Sequence, residues 1–416
     1  MNLILKSINR IIGHGEQIAR MDLKVLLKGF TWLSLSQVVG ISTALALALA
    51  YAHFLPKDVY GTYKYVLAIF GILTLFALPG MDSATQKWVA TGKEGVFWKT
   101  FRKRVEWAGV GVAIGLAMGL YYLVHGNALL AYSFLIASPL LLVLDPFSHF
   151  NALLVGRQQY RQSSRYSIGI QLATSAIILL TVYLTRNVVI IVGFYFLSFV
   201  IARGIAFWHV IKHSPPNDEH EDGAVRYGAH FSIINIIGVG AGQLDSILLF
   251  HFLGPVALAV YSFGQAAADQ AKKIFKTVTT VIAFPKFASL NTERLKEELP
   301  HKILVAHLAT VPLALIFVLI IPPFYHLLFP AYAESIPYAQ VMAGLLAFFP
   351  IRMISTAVNA KGSIRDIYAM NLTASVLQIA FLFVMVPLYG IWGAILATPI
   401  QTLITNVYSV WIFKRL

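Results

Sequence analysis

Apolar stretches of about 20 residues, separated by short polar breaks, fill the chain from residue 29 to its end. They lie near 29–53, 60–79, 105–124, 131–155, 167–185, 188–210, 229–253, 256–276, 303–328, 338–359, 367–386 and 390–412. A helix rises 1.5 Å per residue, so a run of this length matches a hydrocarbon layer roughly 30 Å thick. The breaks carry turn chemistry or charge: "LPKD", "HGN", "GRQQYRQSSR", "TRN", "SPPNDEHEDG", "AKGSIRD" and "PLYG". The pattern predicts an all-α polytopic membrane protein with twelve transmembrane helices.

The pattern also repeats. "HFLPKDVYGTYKY" starts at His53 and "HFLGPVALAVYSF" at His251, 198 positions later. At that offset Lys28 meets Arg226, Ser34 meets Ser232 and Gly40 meets Gly238, without a gap through Tyr63 and Tyr261. Span one therefore falls on span seven and span two on span eight. Later spans keep step at offsets near 200. Six is an even number, so both halves enter the membrane from the same side and form parallel repeats around a central cleft. The predicted organisation is an amphipathic N-terminal segment over 1–28, a six-helix half over 29–211, a linker over 212–228 and a second six-helix half over 229–416. In the first segment, Ile4, Ile8, Ile11 and Ile12 recur at helical spacing among basic residues, as in a surface-lying helix.

Composition agrees with the pattern and charge orients it. The chain is 58% hydrophobic and 12% charged, with a mean hydropathy of +0.73, against about 25% charged residues in soluble proteins. With the N-terminus in the cytoplasm, each loop on that side carries at least two Lys or Arg. The opposite side holds only Lys57 and Arg186. This asymmetry predicts a multi-pass protein with both termini cytoplasmic. It also accounts for most of the net charge of +14, so nucleic acid is not an expected partner. The sequence contains no cysteine, which excludes disulfides and thiolate chemistry. No phosphate-binding loop, serine-hydrolase elbow or zinc helix occurs, and the outer loops offer only Asp58 and Glu334 as separated acids. An enzyme is not expected, nor a cofactor or metal.

Residues 54–92, "FLPKDVYGTYKYVLAIFGILTLFALPGMDSATQKWVATG", resemble the second span and following cytoplasmic elbow of polysaccharide and O-antigen flippases. Residues 243–270, "QLDSILLFHFLGPVALAVYSFGQAAADQ", are similar to their seventh and eighth spans. These flippases belong to the multidrug/oligosaccharidyl-lipid/polysaccharide exporter superfamily. The resemblance covers nearly the whole chain. It implies a protein of the cytoplasmic membrane that moves a polyprenyl-diphosphate-linked oligosaccharide by alternating access for polysaccharide biosynthesis. A coupling proton or sodium would drive it, and it would work as a monomer among membrane lipids. No two further spans follow the twelfth, as is usual in the lipid II flippase branch, so that branch is less expected. The alternatives are a cation-coupled multidrug exporter of the same fold, an antiporter, and a membrane-embedded glycan polymerase.

Charges inside spans supply the candidate site, because an intramembrane ion faces a cavity or a partner. Arg203, Arg352, Lys272 and Lys64 come from four different spans and could hold a diphosphate, Arg through a planar fork and Lys as a point charge. Lys64 could instead snorkel to the interface. Asp245 and Asp269, on adjacent spans, are the candidates for ion coupling, the alternative being salt bridges to Arg352 or Lys272. Asp145, before Pro146, either binds an ion or caps backbone freed by the proline.

Overall fold

The computed structural model describes residues 23–219, 221–278, 287 and 290–415. The predicted surface helix lies mostly outside these residues. Among the described residues every regular element is helical. Eleven continuous helical runs are long and apolar enough to cross a membrane. The run Ala224–Ala266 has 43 residues, about 65 Å of helix, which is two membrane thicknesses. It breaks at Gly254, where φ is 82° and ψ −179°. Asp245 and Tyr261, 16 residues apart, are joined by a 2.6 Å hydrogen bond, although a straight helix would separate them by about 24 Å. The chain therefore doubles back at Gly254 and Pro255, and spans seven and eight are the two arms of a hairpin. The molecule is thus twelve membrane-crossing helices in two six-helix bundles.

Local chemistry explains the ends and breaks. The Asn127, Asn187 and Asn291 side chains accept from Leu130, Val189 and Arg294 N–H at helix starts. Ser363 and Asp366 form a reciprocal capping box at the start of span eleven. Span four, Ala128–Gly156, is broken where Pro139 and Pro146 fall, at the 3₁₀ turns Ser138–Leu140 and Pro146–His149. In the second turn Ser148 N–H bonds Asp145 O at 3.0 Å. The Leu144 carbonyl, its α-helical acceptor, is thereby released.

The halves meet at both ends. At the hairpin end, a Cβ on Gly61 would lie 1.8 Å from the Pro255 carbonyl oxygen. Only glycine allows span two to lie this close to span eight. Tyr65 stacks on Phe250 at 3.9 Å, and Lys57 pairs with Glu334. At the opposite end a short elbow helix, Gly80–Val89, follows span two and packs on span seven. Gly80 N–H donates to Ser232 Oγ at 3.0 Å, and a Cβ on Gly80 would lie 2.4 Å from the Gly228 carbonyl oxygen. The polar linker is tied down rather than loose. Arg157 holds Glu94 at 2.6 Å and the Ser214 and Pro215 carbonyls. Gly95 N–H bonds Glu219 O, and Lys93 and Lys99 pair with Glu221 and Asp222. Large apolar side chains such as Leu319 and Val407 stay over 70% exposed, which suits a surface bathed by lipid.

Candidate functional site

The second half encloses a cavity of about 340 Å³. The hairpin brings Asp245 and Tyr261 to its wall from opposite arms, with Gln265 and Lys272 further along span eight. Span ten supplies Arg352, where the 3₁₀ segment Leu345–Arg352 ends, and span twelve supplies Asn406. Three residues singled out from sequence thus converge: Arg352, Lys272 and Asp245. The Asp245 carboxylate accepts from Tyr261 Oη at 2.6 Å, from Ser246 N at 2.6 Å and from Ser246 Oγ at 3.2 Å. All three donors are neutral. Lys272 is 3.1 Å from Asp269, three residues before it on the same helix. Asp269 is engaged by Lys272, whereas Asp245 faces the cavity. Arg352 lies over the Phe349 ring at 5.6 Å and has no carboxylate within 4 Å among the described residues.

The first half encloses a separate cavity of about 460 Å³, bounded by spans one, four, five and six and by the elbow. Arg203 lines it, but its guanidinium is committed. One Nη1 donates to Asp145 at 3.1 Å and to the released Leu144 carbonyl at 2.9 Å. Asp145 and Arg203 are each about a quarter exposed and also border a smaller pocket beside this cavity. Lys64, half-buried on span two, lines neither of the two larger polar cavities. Between the halves lies a pocket of about 320 Å³ walled by apolar residues including Ile72, Phe76 and Leu244. Tyr63 and Tyr325 are each 2% exposed, and Tyr325 Oη donates to the Phe263 carbonyl at 2.6 Å; these two rings are packed core.

One buried cluster gave no signal in the sequence. Asp82 on the elbow pairs with Arg104 of span three and lies 2.6 Å from His149 Nδ1 of span four. His149 is 0% exposed, Arg104 3%. Burial pushes the Asp82 carboxyl up, but Arg104 and the His149 hydrogen bond outweigh it and hold the group down at about 2. An ionised Asp82 fixes the tautomer: Nδ1–H donates to it, and Nε2 is left to Thr85 and Thr100 at 3.0 and 2.9 Å. Arg104 counts as a loop charge in the sequence pattern. In the structure span three starts at Val96, two turns earlier, and carries the residue inside. Among the described residues no group of three or more His, Asp or Glu could hold a metal ion.

Comparison with known proteins places this architecture. An uncharacterized membrane protein of Methanocaldococcus jannaschii is 22% identical over 431 residues, covering 94% of this chain and 84% of the relative. The inward closed conformation of the lipid II flippase MurJ superposes with a TM-score of 0.68 at 12% identity, over 93% of this chain and 87% of that one. An outward-facing multidrug resistance transporter of the MATE family superposes with a TM-score of 0.62 at 15% identity, over 93% and 95%. Such identities show a shared fold. Residues 26–291 match the family described as polysaccharide biosynthesis protein, and the chain belongs to that family.

Proposed function

We propose that the protein flips a polyprenyl-diphosphate-linked oligosaccharide across the cytoplasmic membrane, with the diphosphate held in the second-half cavity by Arg352, beside the Lys272–Asp269 pair. The observation that carries this is Arg352, a guanidinium that faces the cavity and has no carboxylate within 4 Å among the described residues. A diphosphate cannot enter hydrocarbon bare, because an isolated buried ion costs tens of kcal/mol by Born estimates. A forked cation with free donors lowers that cost. Asp145 removes Arg203 from this role, and the role proposed for Lys64 is interfacial. Asp245 is the proposed ion-coupling residue, since its neutral donors leave its charge uncompensated. Both termini and the elbow are assigned to the cytoplasmic side by the basic loops, and the chain is taken to act as a monomer.

Asp245 also favours a second reading, cation-coupled export of an organic cation, as in a multidrug transporter. Arg352 and Lys272 on the same wall would repel such a cargo. Reconstituted vesicles with a fluorescent polyprenyl-diphosphate oligosaccharide, with and without a proton or sodium gradient, separate the two. Flipping of the lipid that Arg352→Ala slows by one to two orders of magnitude supports the proposal. A charge-assisted bond contributes about 1.5–3 kcal/mol, and 1.4 is tenfold. Export of a cationic dye without lipid flipping would replace it.

A further inference from the structure

The first-half cavity has no part in the proposed diphosphate site. At about 460 Å³ it falls within the range of small-molecule sites. Its wall carries two formal charges, Asp82 and Arg203, and each is balanced by a partner: Asp82 by Arg104 and His149 through Oδ1, Arg203 by Asp145 through Nη1. An anion or a cation entering here would compete with those pairs. A lipid chain is equally unsuited, because much of the wall is amide and hydroxyl.

Those neutral groups have unused hydrogen-bonding capacity. Gln86, Ser167 and Ser175 line the cavity and have no side-chain hydrogen bond to any described residue. Asn151 accepts from Ser163 at 2.6 Å, which leaves its two N–H donors open. Gln171 donates to Thr43 at 2.8 Å, which leaves its carbonyl oxygen open. Donors and acceptors are thus interspersed, and the rings of Phe150, Tyr195 and Phe199 lie among them. An amide offers both a donor and an acceptor and a hydroxyl offers both in one atom. This matches a ligand that is itself a ring of hydroxyl groups with apolar C–H faces. We infer that the first-half cavity is a binding site for an uncharged saccharide, distinct from the anion site of the second half. The flippase reading supplies only the carrier of that saccharide: the sugar would be the part of the lipid-linked substrate that the diphosphate site does not touch.

Gln86 and Ser167 are the residues to change, because folding does not depend on bonds they do not make. Full-length protein in detergent is mixed with maltose or diacetylchitobiose, and saturation transfer from protein to sugar is recorded by NMR. Wild type and Arg352→Ala should give equal transfer to at least one of the two. The Gln86→Leu, Ser167→Val double variant should lose most of it at an unchanged melting temperature. If that variant folds poorly, Ser175→Ala with Ser167→Ala removes two of the open hydroxyls without adding bulk, and should weaken the signal. A second measurement uses polyprenyl diphosphate with and without one N-acetylhexosamine. The sugar should improve affinity about tenfold, the scale of one to two neutral hydrogen bonds, and the double variant should erase that gain. Absence of transfer to either sugar in wild type, meaning a cavity that holds only water, overturns the inference. So does transfer that survives both sets of substitutions. Failure of the diphosphate reading would look different: Arg352→Ala would leave affinity for bare polyprenyl diphosphate unchanged, whatever the disaccharides do.

Discussion

The two halves share a design, and each presents an arginine to a cavity from a different span, six in the first half and ten in the second. Arg203 in the first half and Arg352 in the second both face an internal cavity, and each has a phenylalanine ring beneath its guanidinium at 5.2 or 5.6 Å. The first is neutralised by Asp145, next to a proline break whose freed carbonyl it also binds. Among the described residues the second has the ring and no carboxylate within 4 Å. The two arginines are not repeat equivalents, since span six matches span twelve and span ten matches span four; in the first half a local carboxylate pairs the guanidinium, and in the second none lies within that distance among the described residues. Breaking a buried pair strands a charge, whereas removing an unpaired cavity arginine strands none.

The largest expected effect is on anion capture. Arg352→Ala should cut flipping by one to two orders of magnitude without lowering the melting temperature, and Arg352→Lys should keep part of it, since charge stays and the fork is lost. Vesicle flipping assays beside thermal melts of the same preparations check this. Equal losses of stability in Arg352→Ala and Arg203→Ala would erase the contrast.

Arg203→Ala should do the reverse. It leaves Asp145 and the Leu144 carbonyl without their donor, a loss of about 1–3 kcal/mol for a hydrogen bond to a charged group. Adding Asp145→Asn should restore part of it. The double-mutant cycle in detergent gives the pair's own term, and a coupling energy near zero would show that the pair is incidental.

Asp145→Asn alone sharpens the comparison from the other side. It frees Arg203 within the first-half cavity, which should then bind inorganic pyrophosphate more tightly than wild type, about tenfold for one charge-assisted bond gained. Titration in the Arg352→Ala background isolates the new site.

The smallest effects concern pH, and only at the strapped elbow of the first half. Hydrogen bonding to Arg157 holds the Glu94 carboxyl below its usual value. Its stabilisation should be complete above the unfolded pKa of about 4.3 and fade as pH falls through the lower folded value. Asp82 behaves likewise, complete above about 3.9 and lost toward about 2. Stability measured from pH 7 to 3 should fall less steeply in Glu94→Gln than in wild type, because the variant has already lost that term.

Much of the architecture is readable in the residues. The twelve apolar runs, the Gly254–Pro255 turn and the match of span one to span seven need no tertiary information. Segment length against bilayer thickness and the period of the breaks are local quantities. Asp145 is also partly legible, because Pro146 beside it announces a carbonyl in need of a donor. The partner that arrives, Arg203, is 58 residues away, and nothing local selects it over Lys64 or Arg352. Arg104 hides among loop cations because helix starts are read only to within a few residues. His149 hides because a lone histidine in an apolar run has no spacing to advertise it.

The sequence by itself determined that this protein crosses the membrane twelve times, in two related halves, with its intramembrane charges restricted to a few positions. Hydrophobic length, turn residues and the distribution of Lys and Arg suffice for that, because each acts over one helix or one loop. Only the tertiary structure decided which charges are spent. Burial makes an ion seek a counter-charge within about 4 Å, and which ion arrives depends on how helices far apart in the chain are rotated against one another. That rotation ties Arg203 to Asp145 and Asp82 to Arg104 and His149. It leaves Arg352 and Asp245 facing a shared cavity, and so separates a structural arginine from one available to a ligand.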